Sequence, residues 1–209
     1  MRQFSLPFKY EEETKTSGLT GLAGLPLYIE LLHSLDIQQI MRIELDLDAH
    51  EKVVWKPSDI VFALLLLNLA GAEHVDDLRI LESDIGFCSV LERISVVGKT
   101  HSQRRALGRN KQQQGCGALP SRSTVFRFLK GGGEEGLAPR GRGQAYIPEA
   151  SKTSRQLRNC NRALLAALEH NRPSAAVTLD LDATLIETHK SDSFYSYKGY
   201  RAYQPVNVW

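Results

Sequence analysis

Cysteine is scarce in this chain of 209 residues: there are three, Cys88, Cys116 and Cys160, far apart and odd in number. That pattern fits neither a disulfide framework nor a zinc site, and it suits a reducing cytoplasm. Each is expected to be a small buried or incidental residue. Long apolar runs are missing too. The longest, IVFALLLLNLAGA from Ile60, is broken by Asn68 and Gly71. It falls short of the ~20 residues of a membrane span and reads as a buried helix, so no membrane partner is expected. The N-terminal MRQFSLPFKYEEETK lacks the apolar segment of a secretory signal. A cytoplasmic location is therefore expected. What remains is ordinary for a globular protein: 42% hydrophobic and 24% charged residues, in a chain long enough to bury a core.

Acidic residues are absent from Arg93 to Gly133, and this absence carries more information. From Arg93 to Arg172 there are 16 Lys plus Arg against 4 Glu and no Asp, a balance of +12. The rest of the chain holds 10 basic and 20 acidic residues, so the net charge of +2 hides a strong asymmetry. A basic segment inside a near-neutral protein points to an anionic partner, and nucleic acid is the commonest. A solvated loop is the plainer reading of the same charges.

Helical periodicity dominates the first 95 residues. In LPLYIELLHSLDI, apolar residues recur at Leu27, Leu31 and Leu35, with Tyr28 and Leu32 beside them, which predicts an amphipathic helix from Pro26. KPSDIVFALLLLNLAGA predicts a second helix, with Ser58 as N-cap, Asp59 in its first turn and Gly71 as its stop. HVDDLRILESD reads as a third and FCSVLERI as a fourth. GKTHSQRRALGRNKQQQG shows no apolar periodicity and reads as a loop. LPSRSTVFRFLK then predicts a short helix capped by Ser121 or Ser123, with Val125, Phe126 and Leu129 on its apolar face. Arg122, Arg127 and Lys130 lie off that face and are the candidate DNA-binding residues, in a helix-turn-helix-like unit; an amphipathic helix with a solvated basic face is the plainer alternative. KGGGEEGLAPRGRG reads as a linker. SRQLRNCNRALLAALEH predicts a further helix through Leu157, Leu164, Leu165 and Leu168, ending before Pro173.

The period then changes to two. In AAVTLDLDATLIET, Val177, Leu179, Leu181 and Ala183 alternate with Thr178, Asp180, Asp182 and Thr184, the pattern of a strand. SFYSYKGYRAYQPVNVW reads as a hairpin or two short strands around Lys198–Gly199. The expected fold is mixed α and β: a helical region over 1–95, a basic loop and short helix over 96–150, and a helix plus opening strands over 151–209. Two carboxylates on one face of a strand are costly unless used, and Mg²⁺ with phosphate oxygens is the commonest user. A wet polar face shared with Thr178 and Thr184 is the plainer alternative.

Two resemblances give Asp180 and Asp182 chemical roles. VTLDLDATL is similar to the signature of haloacid-dehalogenase phosphatases, D-x-D-x-T-L after an apolar strand. That likeness implies Asp180 as nucleophile, Asp182 as general acid/base and Mg²⁺ as cofactor. The later motifs of that family need a longer stretch than follows Leu185. The second resemblance spans the chain from about Gly18 to Pro205. Gly71, then Asp76-Asp77-Leu78, then Pro120-Ser121 with Thr124, then Asp180, Asp182, Ala183 and Thr184, then Tyr203 and Pro205 occur in that order. This order resembles the DDE transposases of bacterial insertion sequences, in the thirteen-eighty group. Ala202 stands where the family pattern has Gly.

The resemblance implies a ribonuclease-H-like catalytic domain in which two Asp and one Glu hold two Mg²⁺ for attack on DNA phosphodiesters. Asp182, directly before Ala-Thr, corresponds to the first acid; Asp180, two residues earlier on the same face, is either a helper ligand or itself that first acid. It further implies transposon ends as the DNA partner, a homodimer, and a bacterial cytoplasm with nucleoid association on DNA. After Asp182 the only acids are Glu187 and Asp192, and neither falls at the later strand or helix the family uses. The expectation is therefore an N-terminal fragment, catalytically incomplete. A DNA-binding remnant without enzymatic activity is the alternative from the binding class.

Overall fold

A computed structural model describes residues 19–47, 53–113, 117–131, 150–171, 173, 176, 181–189, 193–203 and 206–208. The chain divides into two compact units, residues 1–167 and 168–209. The protein is mixed α and β, with its helices first and its strands last.

In the first unit, α1 (Leu25–Ser34) and α2 (Ile37–Leu45) replace the single helix expected from Pro26. The break is at Asp36, whose φ of 54° is left-handed. Asp tolerates that region better than most residues, because its short polar side chain bonds locally. The buried residues of α1 are Leu25, Pro26 and Ile29, while Leu27, Tyr28 and Leu31 are exposed. This corrects the expected stripe. A leucine-rich helix carries more than one apolar row, and tertiary contacts select between them.

Helix α3 (Pro57–Leu69) is apolar around most of its circumference because it serves two clusters. Its Ile60, Ala63, Leu66 and Leu67 pack with Leu25, Ile29, Leu78, Leu81, Phe87 and Leu91. Val61 and Phe62 lie against the second cluster, Ile37, Met41, Leu45 and Cys160. Lys56, not Ser58, occupies the N-cap, and its N–H donates to Asp59 Oδ2 at 3.1 Å. Ser58 is tied to α2 instead. Its N–H and hydroxyl donate to the two carboxylate oxygens of Asp46 at 2.9 and 2.6 Å. At the other end Gly71, with φ of 80°, closes α3: its N–H donates to Asn68 O, and Ala72 N–H donates to Leu67 O. This paired closure needs a left-handed residue, which glycine supplies without steric cost.

A 3-10 turn (Val75–Asp77) leads into α4 (Leu78–Ser83) and then α5 (Ile85–Ser95). Asp77 caps the turn, accepting from His74 N–H at 3.1 Å. Asp84 caps α5, accepting from Phe87 N–H at 2.8 Å, and also ties back to Thr20 and Gly21 at 2.7 and 2.9 Å. Residues 101–113, expected to be a loop, form α6 (His101–Gln113). Its start is a capping box: Gln103 N–H donates to Thr100 Oγ1, and Thr100 N–H donates to Gln103 Oε1. Arg, Gln, Lys, Ala and Leu all have good intrinsic helix propensity, so an apolar stripe was not required.

Helix α7 (Arg122–Gly131) packs on α3 and on the 3-10 turn. Val125 is fully buried and Phe128 partly so, whereas Phe126 and Leu129 are exposed, which corrects the expected apolar face by two residues. Helix α8 (Lys152–Asn171) buries Cys160 and packs Leu164 against the second cluster, while Leu157, Leu165 and Leu168 are exposed. Burial pushes the Cys160 thiol up, in keeping with a small core residue.

In the second unit β1 (Leu181–Ala183) pairs antiparallel with β5 (Val206–Val208), with Asp182 opposite Asn207. β2 (Ile186–Glu187), β4 (Arg201–Tyr203) and β3 (Phe194–Tyr195) form a separate antiparallel sheet in the order β2-β4-β3. The expected hairpin is present. Ser196 N–H donates to Tyr200 O at 2.8 Å, and Gly199, at φ of 86°, closes the Tyr197–Gly199 loop. The single strand expected from Val177 is described from Leu181 only and is interrupted at Thr184–Leu185. Among the described residues, no helix is long and apolar enough to cross a membrane.

Candidate nucleic-acid interface

The residues singled out around α3, the 3-10 turn and α7 come together, and each has a local cause. Gly71 ends α3, Asp77 caps the turn, and Leu78 is buried in the main cluster. Pro120 is fully buried at the entry to α7, and Ser121 Oγ accepts from Thr124 N–H at 3.4 Å. Asp76 meets Arg122 Nη1 at 3.1 Å, which pins the start of α7 to the turn. Both side chains of that ion pair are largely exposed, at 58% and 63%, so it contributes under about 1 kcal/mol. A phosphate contact by Arg122 would compete with that weak pair. Arg127 and Lys130 are exposed along α7, as a phosphate-contacting role requires.

Helix α6 adds basic residues that the loop reading could not organise. Arg104 and Arg105 are exposed, and Arg104 Nε also donates to Lys99 O at 2.9 Å. At 3.6 residues per turn, positions 101, 104, 105, 108, 109 and 111 fall within an arc of about 160°. Every basic residue of α6 and its one histidine stand at those positions, and the helix carries no acid. The signal in the sequence was the Thr-x-x-Gln pair at 100–103 together with the spacing of the arginines.

Asp182 stands in the middle of β1; Asp180 lies outside the described residues. Glu187 is exposed in β2 opposite Ala202, and Asp192 lies outside the described residues. Among the described residues, no three His, Cys, Asp or Glu stand together to hold a metal ion. Of the acids that the resemblance assigns to a metal site, Asp182 alone lies among the described residues, opposite Asn207 in the strand register.

On the β3–β4 hairpin, Tyr195 is 71% and Tyr197 80% exposed. The Arg201 guanidinium lies 5.5 Å from the Tyr195 ring centre and Lys198 Nζ lies 5.9 Å from that of Tyr197. Aromatic rings exposed to this degree beside cations are unusual for a surface turn.

Two carboxyls in the helical unit are shifted. Burial pushes Asp59 up, helped by repulsion from Asp46 and opposed by the Lys56 N–H and by Arg42. Asp59 borders a cavity of about 110 Å³ lined by Met41, Trp55, Phe62 and Leu119. At Asp84, burial works to raise the carboxyl, but hydrogen bonds from Phe87, Thr20 and Gly21 outweigh it and hold the group below its ordinary value. Both acids are accounted for by helix capping and packing. Comparison with protein-family models, with curated proteins and with solved structures finds no match.

Proposed function

We propose that this chain is a DNA-binding protein of DDE transposase type, whose basic helices α6 and α7 contact duplex phosphates. The observation that carries the reading is the ordered set of motifs from Gly71 to Pro205. Support comes from the way the first three of those motifs meet at the junction of α3, the 3-10 turn and α7. The antiparallel return of β5 onto β1 after an intervening hairpin is compatible with the opening of a ribonuclease-H-like sheet. In that reading Asp182 is the first acid of a Mg²⁺ site, with Asp180 as its helper, and transposon ends are the DNA.

Such a site needs a second Asp and a Glu, while Glu187 and Asp192 are the acids that follow Asp182. In the sequence neither is placed as that family's later acids are, so these 209 residues are expected to bind DNA without cutting it. Incubation with supercoiled plasmid and Mg²⁺ or Mn²⁺ checks this by gel. The expected result is retention on the DNA with no nicked circle. Nicking that disappears in Asp182→Ala would contradict the incomplete site and make Asp182 a working ligand. Failure to retain plasmid at low salt would remove the DNA-binding reading itself.

A further inference from the structure

The β3–β4 hairpin has chemistry that duplex binding through α6 and α7 does not use. We infer that its exposed face is a stacking platform for the unpaired bases of single-stranded DNA. The choice of DNA over RNA rests on the proposed function; the stacking chemistry rests on the hairpin.

Register defines the face. Tyr195 is directly opposite Arg201, and Ile186 is directly opposite Tyr203, two residues along β4 from Arg201. Side chains two apart on a strand share a face, and so do directly opposed pairs. Tyr195, Arg201, Tyr203 and Ile186 therefore lie on one side of this sheet, and Tyr197 and Lys198 stand at its tip. Tyr195, Tyr197, Tyr203 and Ile186 are all exposed, while Ala202, on the other side, is buried. Ala202 is thus covered on one side of the sheet while the tyrosine side is exposed.

Four apolar or aromatic side chains held in water on so small a sheet are costly unless something covers them. Their setting selects the cover. From Ser193 to Tyr203 there are two cations, Lys198 and Arg201, and no acid. Each cation lies within 6 Å of a tyrosine ring. Every nucleobase offers a flat face to a ring and every nucleotide offers a phosphate to a cation, so rings interleaved with cations suit a flexible strand of unstacked bases. A duplex hides its base faces and cannot use the tyrosines. The short loop closed by Gly199 is held by the Ser196–Tyr200 and Gly199–Ser196 hydrogen bonds, which limits the ordering cost of binding.

The test is fluorescence anisotropy with a labelled oligothymidylate, its duplex with oligoadenylate, and an oligouridylate, using the full chain. Tyr195→Ala/Tyr197→Ala is expected to bind the single strand roughly 5- to 150-fold more weakly per ring lost and to bind the duplex as the wild type does. Tyr195→Phe/Tyr197→Phe is expected to keep single-strand affinity, because stacking needs the ring and not the hydroxyl. Since both tyrosines are exposed, their loss leaves the core intact, and the unchanged duplex affinity confirms it. Lys198→Ala is expected to flatten the dependence of log affinity on log salt by about 0.7.

Unchanged single-strand binding in the double alanine variant overturns the platform. Duplex binding by the wild type without single-strand binding also overturns it while leaving the proposed function standing; single-strand binding alone does the reverse. Preference for oligouridylate would overturn DNA as the ligand. Self-association that the alanine variant abolishes, with no single-strand binding, would give the face to a second copy of this chain and overturn the proposal.

Discussion

Asp84 shows how one side chain holds two distant segments together. Its carboxylate caps α5 through Phe87 and receives Thr20 and Gly21 from the start of the described chain. Those bonds favour the ionised form, and the carboxyl sits below its ordinary value of 3.8 despite burial acting against it. A group whose folded value is depressed contributes stability that is complete above its unfolded value and is lost as pH falls through the folded one. Asp84 therefore supports the fold fully at neutral pH and stops doing so in the acid range below about 4. Asp84→Ala is expected to cost about 1–2 kcal/mol at pH 7, a helix cap plus a lost tie. Urea denaturation at pH 7 and in the acid range below 4 checks this: the gap between wild type and variant should shrink on acidification. A gap that stays constant with pH would mean the carboxylate charge is irrelevant. Asp59 has the opposite sign. Burial raises it, so it opposes folding as pH rises from the acid range towards neutrality, and the Lys56 N–H bond offsets part of that cost.

Among the elements, α6 separates the functional account from a purely structural one. It is a 13-residue helix without an acid, and its basic positions share one side. A helix so charged repels itself until an anion covers it. Arg104→Ala/Arg105→Ala is expected to reduce the slope of log affinity against log salt for duplex DNA by about 1.8, as is Arg127→Ala/Lys130→Ala on α7. Equal slopes in wild type and either variant would remove that helix from the interface.

Legibility in the sequence followed the strength of the local signal. The end of α3 at Gly71 and the turn at Lys198–Gly199 were readable because a left-handed residue has few substitutes. α6 was not, because its polar surface has no apolar stripe and its glutamines and Gly108 resemble a loop; the Thr100–Gln103 capping pair was the available sign. The apolar face of α1, and that of α7 apart from Val125, were placed on the wrong row for another reason. Leu27 and Leu31, like Phe126 and Leu129, are as apolar as the residues that are buried, and only contacts with α3 and the turn decide which row faces inward. The strand acids were legible as a pair in the alternation around Asp180 and Asp182, and Asp182 is the one that lies among the described residues, in the middle of β1.

At the scale of the whole molecule, the charge asymmetry and the division into two units give complementary parts: a helical unit carrying the basic residues of α6 and α7, and a strand unit carrying Asp182 and the tyrosine hairpin. The central claim is that the first part grips DNA through its phosphates. The most direct measurement is the affinity of the full chain for a duplex copied from the DNA flanking its own gene, against a scrambled duplex of equal length, over a series of salt concentrations. Four phosphate contacts, from Arg104, Arg105, Arg127 and Lys130, give an expected slope of about −3.6 in log affinity against log salt. The flanking duplex is expected to bind more tightly than the scrambled one. No binding at low salt, or an affinity that salt does not change, would contradict the account.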